Sequence, residues 1–282
     1  METKDLTPKK LFVLILGCHR SGTSVTANIL QILGCNLGDE LLSAHPDSNP
    51  LGHFENLAAL EFNENLLEQL GTDWRNSQPL RAHCYLEGIK PKIEILLDKL
   101  IQELVEKNVT ALKKPRIALL LDLWGPVLEK QNLDLKIVVA IRNPSEVAAS
   151  LLKRDSLETI LGLQLWAQAT INSLKFARKH TNHFVFYDEL LAQPKETVVE
   201  LSNSLQMPIN YESLDDFLAA VVKPELKHHT AKESDTAALE VAKTMYEYIE
   251  NFTNATHRDF PDELLNEWQL KLDLSIHSID RN

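Results

Sequence analysis

Three short runs of apolar residues stand out from an otherwise mixed sequence, and they predict buried β-strands. The runs are LFVLIL at 11–16, KIVVAI at 136–141 and HFVFYD at 183–188, with VTALK at 109–113 as a weaker fourth. Nearly continuous apolar runs are typical of parallel strands that are covered on both faces. The chain therefore predicts a central sheet that is mostly parallel.

Between these runs, apolar residues recur at helical spacing. Val25, Ile29 and Leu33 share one face of a helix that Gly34 can end. Further amphipathic helices are predicted at 56–70, 88–107, 144–154, 157–180, 211–222, 231–252 and 262–272. Strands that alternate with helices predict an α/β fold of three layers, with helices on both faces of the sheet and a helical last third.

No repeat, low-complexity linker or shift in composition divides the chain. Its 282 residues therefore predict a single domain over 1–282, with an α/β core at 1–205 and a mainly helical extension at 206–282. A long loop, LLSAHPDSNPLGHFEN, separates the first two predicted helices. Long loops in compact domains are usually functional, so this loop is expected to contribute to a site.

Composition and charge narrow the classes of partner. Apolar residues make up 44% of the chain and charged residues 24%, which is typical of a globular protein with a sizeable core. The formal net charge of −11 argues against a nucleic-acid partner, so local basic groups must hold any anionic ligand.

The start METKDLTPKK lacks a signal-like apolar segment, and no apolar run is long enough to span a membrane. Since the 3 cysteines show neither disulfide nor metal spacing, we expect a cytoplasmic protein without a metal ion.

The segment GCHRSGTS at 17–24 lies between the first predicted strand and the first predicted helix. It keeps both glycines and the final serine of the phosphate-loop pattern G-x-x-x-x-G-K-[ST], but Thr23 stands in place of the lysine and Arg20 lies inside the loop. The backbone N–H groups of Ser21 to Ser24 and the helix dipole would favour an anion. Without the lysine, a ligand with one pyrophosphate-like group is favoured over a nucleoside triphosphate.

A second motif, RNPSEVAAS, follows the strand predicted at 136–141. Arg142 ends that strand, Asn143 can cap the next helix, and Ser150 comes eight residues after the arginine. Ligands of α/β folds bind at the carboxyl ends of the parallel strands. Arg142 and Ser150 could therefore hold a second phosphate, separate from the first.

Together, HRSGTS and RNPSEVAAS resemble the sulfotransferases that use 3′-phosphoadenosine-5′-phosphosulfate as the donor and release adenosine 3′,5′-bisphosphate. NPLGHFEN, LKKPRIALLLDLW and FVFYDELLAQP look like segments of bacterial and carbohydrate-type members, so the resemblance covers about residues 1–205. It implies a donor site in two parts. The 5′-phosphosulfate would be held by Arg20, Ser21, Gly22, Thr23 and Ser24, and the 3′-phosphate by Arg142 and Ser150.

The resemblance also implies catalytic residues. Arg20 matches the cation that faces the leaving group, and Lys113 matches a lysine that assists the sulfuryl group. The acceptor must lose a proton, so a general base is required. Glu55 is the favoured base and His53 the alternative. Burial against Phe54 is expected to raise the pKa of Glu55, because its ordinary value makes it a weak base.

Departures from the family pattern leave the acceptor and the activity open. Lys114 replaces the acid of the K-D-P-R segment, and His19 stands where many relatives have proline and is expected at most to support the loop. The C-terminal basic glycine motif of the small phenol and steroid enzymes is absent, which disfavours a small phenolic acceptor. We expect a small molecule, a sugar or a lipid headgroup, and the chain could form a homodimer. An atypical kinase that uses ATP and magnesium, and an inactive sulfotransferase-like binding protein, remain alternatives.

Overall fold

The structure is a computed structural model that describes residues 9–45, 49–78, 86–222, 236–251 and 260–277. Its sheet has the strand order β2-β1-β3-β4, and every strand pairing is parallel. The strands are β1 Lys10–Leu16, β2 Ala111–Lys113, β3 Leu133–Ile141 and β4 Thr181–Phe186. The prediction of an α/β fold around a parallel sheet is confirmed.

The described helices are α1 Thr23–Ile32, α2 Leu57–Gln69, α3 Leu86–Glu106, α4 Pro115–Leu119, α5 Leu121–Lys130, α6 Pro144–Asp155, α7 Thr159–Ala177, α8 Tyr187–Ala192, α9 Pro194–Leu205, α10 Tyr211–Val221, α11 Ala237–Asn251 and α12 Asp262–His277. Every helix predicted from apolar spacing is found, although residues 231–235 and 252 of the helix predicted at 231–252 lie outside the described residues. The strand predicted at 183–188 is wrong at its end, because Tyr187 already begins α8. Helices α4, α5, α8 and α9 were not predicted, and α5 contains the helix-disfavouring pair Gly125 and Pro126.

Alternate residues of the strands supply two separate apolar cores. Phe12 and Leu14 of β1 join a core with helices α3, α5, α7, α11 and α12. Val13 and Ile15 join the opposite core with α1, α9 and α10. This alternation follows from the period of two in a β-strand. The sheet is thus covered on both faces, as the three-layer prediction required.

The C-terminal helices pack onto the rest of the protein through apolar and polar contacts. Gln168 of α7 and Gln269 of α12 exchange two side-chain hydrogen bonds of 2.9 and 3.2 Å, and both are buried. Leu214 of α10 belongs to the core beneath β1 and α1. The division of a single domain at residue 205 stays a prediction. None of the described helices has the length and apolar composition that a membrane crossing requires.

The strand order brings the segments that follow β1, β2 and β3 to one edge of the sheet. β1 lies between β2 and β3, and Ile15 is in register with Lys113. Arg142 follows the last residue of β3 on the other side of β1. Because the strands are parallel, the end of β1, Lys113 and Arg142 lie at the same carboxyl edge, where α/β folds bind their ligands.

Candidate active site

The turn from β1 into α1 requires its glycines. Gly17 and Gly22 have φ angles of 133° and 91°, in the left-handed region that favours glycine. A Cβ on Gly22 would lie 2.7 Å from Cδ2 of Tyr187, too close for any side chain. Arg20 also takes a positive φ of 69°, which is strained for a residue with a side chain. Such strain is common at ligand-binding turns, and the loop leads directly into the amino terminus of α1.

Arg142 approaches this loop from β3. The residue is only 5% exposed, its Nε donates to Glu146 Oε2 at 2.9 Å, and its Nη1 donates to the carbonyl oxygen of Arg20 at 3.3 Å. Its guanidinium also lies 4.4 Å from the ring centre of Tyr187. Among the described residues, Nη2 is buried and has no hydrogen-bond partner. A buried charged donor without a partner is costly, so this nitrogen is suited to an anion that enters the site.

Arg20 links the two sequence motifs. Its Nε donates to Ser150 Oγ of α6 at 2.9 Å, and that serine is buried. Burial, followed by repulsion from Arg154 and Arg142, lowers the pKa of Arg20 to about 10. Arg20 thus stays positively charged at neutral pH. It lies within a cluster of cations whose mutual repulsion a bound anion would reduce.

A lysine from the neighbouring strand reaches the phosphate loop, which lacks one of its own. The Lys113 Nζ donates to Ser24 Oγ at 3.1 Å, to the carbonyl oxygen of His53 at 3.0 Å and to Glu55 Oε1 at 2.8 Å. Asn49, from the long loop after α1, donates to the same Ser24 oxygen at 2.8 Å. The cation therefore sits against the last residue of the loop, although it comes from a distant part of the chain.

Glu55 is enclosed by cations. Its Oε2 lies 2.6 Å from Lys114 Nζ and 3.7 Å from Arg116, while Oε1 is bound by Lys113. Burial alone would raise the pKa of Glu55, but Lys113 and Lys114 together outweigh it and hold that pKa far below its usual range. The predicted rise in the pKa of Glu55 is therefore wrong, because the sequence did not reveal its two lysine partners. Glu55 is therefore ionised at neutral pH. Burial lowers the pKa of Lys114 to about 8.

Two histidines stand beside this ion network. His53 is partly exposed, and burial followed by Lys113 lowers its pKa, so the imidazole is neutral at neutral pH. Its carbonyl oxygen accepts hydrogen bonds from Lys113 and Ser24, which fixes the backbone that carries the ring. His19 is 8% exposed and packs against Trp74, with ring centres 4.7 Å apart.

Two clefts meet at these residues. The first cleft, of about 220 Å³, is lined by the phosphate loop, Arg142 and Tyr187. The second cleft, of about 1160 Å³, extends past Trp74 and Arg116. The residues that line both clefts, here called the junction, are His19, Arg20, His53, Glu55 and Arg154. Among the described residues, the junction is the place where a group bound in the first cleft can approach a molecule in the second.

The structure brings together all the residues that were singled out from the sequence, around the loop and the junction; their roles stay predictions. Sequence reasoning missed Asn49, Trp74 and Arg154. Arg154 follows the second motif on α6, within the apolar-to-basic segment LLKRD, and was open to notice. Trp74 has no local signal, because its position depends on how the segment after α2 folds back on His19.

The family of this chain is shown by a comparison with models of protein families. A model of the sulfotransferase domain family matches residues 12–277. No curated protein matches the sequence. The solved sulfotransferase domain of the Synechococcus PCC 7002 olefin synthase aligns with a TM-score of 0.51 and 18% identity, over 93% of this chain and 100% of that one. At so low an identity, this similarity supports the fold alone.

Two further solved structures align at lower scores. Sulfotransferase STF9 from Mycobacterium avium has a TM-score of 0.48 and 13% identity, over 87% of this chain and 78% of its own. The sulfotransferase domain from the curacin biosynthetic pathway has a TM-score of 0.47 and 16% identity, over 94% and 98%. Scores this low leave both as similarities only, without weight for the function of this chain.

Proposed function

Because this chain belongs to the sulfotransferase domain family, we propose that it transfers a sulfuryl group from 3′-phosphoadenosine-5′-phosphosulfate to a hydroxyl or amine of an acceptor. One observation carries the proposal. Within the part of the chain that the structure describes, the buried Nη2 of Arg142 has no hydrogen-bond partner, and it lies at the edge of a phosphate loop that has no lysine of its own. That combination suits a ligand with two separate anionic groups better than a triphosphate.

The donor would occupy the first cleft. The backbone N–H groups of Arg20–Ser24 and the amino terminus of α1 would receive the 5′-phosphosulfate. Arg142, which lines this cleft, would receive the 3′-phosphate through Nη2, a donor without a partner among the described residues. Ser150 is assigned to the same phosphate, although it lines the second cleft and accepts a hydrogen bond from Arg20 Nε. The ring of Tyr187 lies so close to Gly22 that any side chain at residue 22 would collide with it. The groups present therefore fit the donor, and adenosine 3′,5′-bisphosphate would be the product.

Positioned charge would promote the transfer. In an in-line displacement, the bond between sulfur and the bisphosphate oxygen breaks while a bond from sulfur to the acceptor oxygen forms, and the electron pair leaves with the bisphosphate. We assign Arg20 to the charge that develops on the leaving oxygen. Lys113, which already contacts Ser24 at the end of the loop, is assigned to the sulfuryl oxygens. Cations placed in advance at developing negative charge are a major source of catalysis.

We assign the general base to His53 and an anchoring role to Glu55. Both oxygens of Glu55 are bound by lysines, and its depressed pKa makes it a poor proton acceptor. His53 is neutral and lines both clefts. A neutral imidazole at the junction can take the proton of an acceptor hydroxyl as the new bond forms. Glu55 would instead keep Lys113 and Lys114 in place.

A thermal-shift comparison tests the function. Adenosine 3′,5′-bisphosphate at about 100 times its Kd should stabilise the protein by roughly 2.7 kcal/mol. ATP with magnesium at the same concentration should give a clearly smaller shift, because the loop lacks the lysine that serves a triphosphate. A larger shift with ATP and magnesium would favour the kinase alternative. Binding of the bisphosphate without any transfer from the donor would favour an inactive binding protein.

Arg142→Ala should weaken binding of adenosine 3′,5′-bisphosphate by about 1.5–3 kcal/mol, the usual scale for a hydrogen bond to a charged group. Isothermal titration calorimetry measures the difference. Affinity for adenosine 5′-phosphosulfate, which lacks the 3′-phosphate, should change much less. Arg178→Ala is the matched control, since Arg178 pairs with Asp262 and does not line the first cleft. Equal losses for both ligands would contradict the assignment of Arg142 to the 3′-phosphate.

A further inference from the structure

His19 has an unused polar atom at the junction. Its Nε2 is buried and has no hydrogen-bond partner among the described residues. The residue as a whole is 8% exposed and lines both clefts. Leaving a buried polar atom unpaired costs stability, and such groups in native proteins call for an explanation. A purely structural ring at this position would be better served by phenylalanine.

The His19 ring packs against an aromatic neighbour. The indole of Trp74 packs against the imidazole at an interplanar angle of 46°. Arg154, on α6, lies 5.8 Å from the centre of the Trp74 ring. Because His19 immediately precedes Arg20, its ring is tied to the loop that receives the donor. A ring packed in this way beside the transferring group is well suited to orient a second reactant.

The surroundings of His19 select the chemistry of that reactant. Burial, then the charge of Arg116, holds the pKa of His19 well below its ordinary value; Arg154 and Lys113 add to this, while Glu55 opposes it. The imidazole is thus neutral, with one nitrogen that donates and one that accepts. A hydroxyl can donate or accept, so it fits Nε2 in either tautomer. An ionised amine carries a positive charge that these cations repel.

From this geometry we infer that His19 is an acceptor-positioning residue: its Nε2 forms a hydrogen bond with the acceptor's hydroxyl, so the protein modifies alcohols rather than ionised amines. The inference rests on the proposed sulfuryl transfer and narrows its acceptor class. It also gives a function to a histidine that the loop pattern does not require. The acceptor's hydroxyl would supply the hydrogen-bond partner that Nε2 does not have among the described residues.

Two substitutions separate positioning from packing. His19→Phe keeps the ring against Trp74 but removes the nitrogen, whereas His19→Gln keeps a polar group at a similar reach. Water is always present as a hydroxyl acceptor, so release of bisphosphate from 3′-phosphoadenosine-5′-phosphosulfate can be followed without a natural acceptor. His19→Phe should raise Tm by ~2 °C, since it removes an unpaired buried group. It should lower bisphosphate release by about tenfold, the equivalent of one hydrogen bond.

His19→Gln should keep most of the release, and both variants should bind adenosine 3′,5′-bisphosphate as tightly as wild type. Unchanged release in His19→Phe, or a lower Tm, would overturn the positioning role. Methanol and methylamine at equal concentration test the acceptor class; methylamine that accelerates release as much as methanol contradicts the preference for alcohols. Failure of the proposed function appears differently, because the wild-type protein then either does not bind the bisphosphate or releases none from the donor.

Discussion

Replacing His53 by alanine is expected to lower kcat by about 10²–10⁴-fold, the usual contribution of a general base. Affinity for adenosine 3′,5′-bisphosphate should stay near that of wild type. Lys113 and Ser24 bind the carbonyl oxygen of His53, not its ring, so the substitution leaves those backbone contacts in place. Single-turnover transfer from labelled donor, at saturating acceptor, measures the chemical step directly.

His45→Ala is the matched control, because His45 is exposed and also lines the second cleft but lies outside the junction. It should keep a near-normal kcat. Near-normal turnover in His53→Ala, together with loss in a variant of Glu55 that remains folded, would return the base role to the carboxylate. Equal losses in both histidine variants would indicate a general effect of the loop.

The pH profile provides a second test of His53. A base works only when deprotonated, and burial and Lys113 favour the neutral imidazole by lowering its pKa from 6.5. The active form therefore persists as the pH falls below 6.5, and the acidic limb of kcat/KM should lie under that value. In His53→Ala the limb should disappear. An acidic limb above 6.5 would contradict the neutral, partly buried histidine as the base.

Glu55→Gln is expected to reduce the free energy of unfolding by about 3–5 kcal/mol, because it leaves two buried ammonium groups without their counter-ion. Lys114 is fully buried and Lys113 is 3% exposed, so water cannot replace the lost charge. At ~2–4 °C per kcal/mol for a chain of this size, the loss is visible as a drop in Tm. Urea titration gives the free energy itself.

Two further variants show whether charge is the cause. Lys114→Met in the Glu55→Gln background removes one unpaired charge and should recover a substantial part of the loss. Glu64→Gln, whose side chain is 44% exposed and pairs with Arg116, should cost less than about 1 kcal/mol. A Glu55→Gln protein as stable as wild type, or one that Lys114→Met destabilises further, would show that the ion network does not support the fold.

Sequence pattern alone predicted the elements whose structure depends mainly on neighbouring residues. The apolar runs predicted β1, β3 and β4 because strands buried on both faces need no polar alternation. The glycine turn between β1 and α1 was visible for a similar reason: positive φ angles restrict the residue type. Arg142 and Ser150 were singled out because they lie on adjoining elements of one motif. In the structure Ser150 contacts Arg20, and its shared role with Arg142 stays a prediction.

The charge network was beyond such reasoning. Glu55 meets Lys113 and Lys114 only because the three-residue strand β2 places them beside the loop before α2. No residue close to Glu55 in the sequence indicates these lysine partners. The burial of Glu55 could therefore be predicted, but the direction of its pKa shift could not. The Trp74 contact of His19 is long-range in the same way.

The parallel order of the strands also determines when during folding the anion site can exist. Lys10 pairs with Leu133 and Lys136 with Thr181, so each pairing joins segments far apart in the chain. Proteins dominated by such pairings fold slowly, because the entropy of loop closure is lost before the contacts compensate for it. Lys113 and Arg142 reach the loop from opposite neighbours of β1, so the site forms only after both crossovers have docked. During refolding, recovery of anion binding would therefore report the completed sheet rather than early collapse.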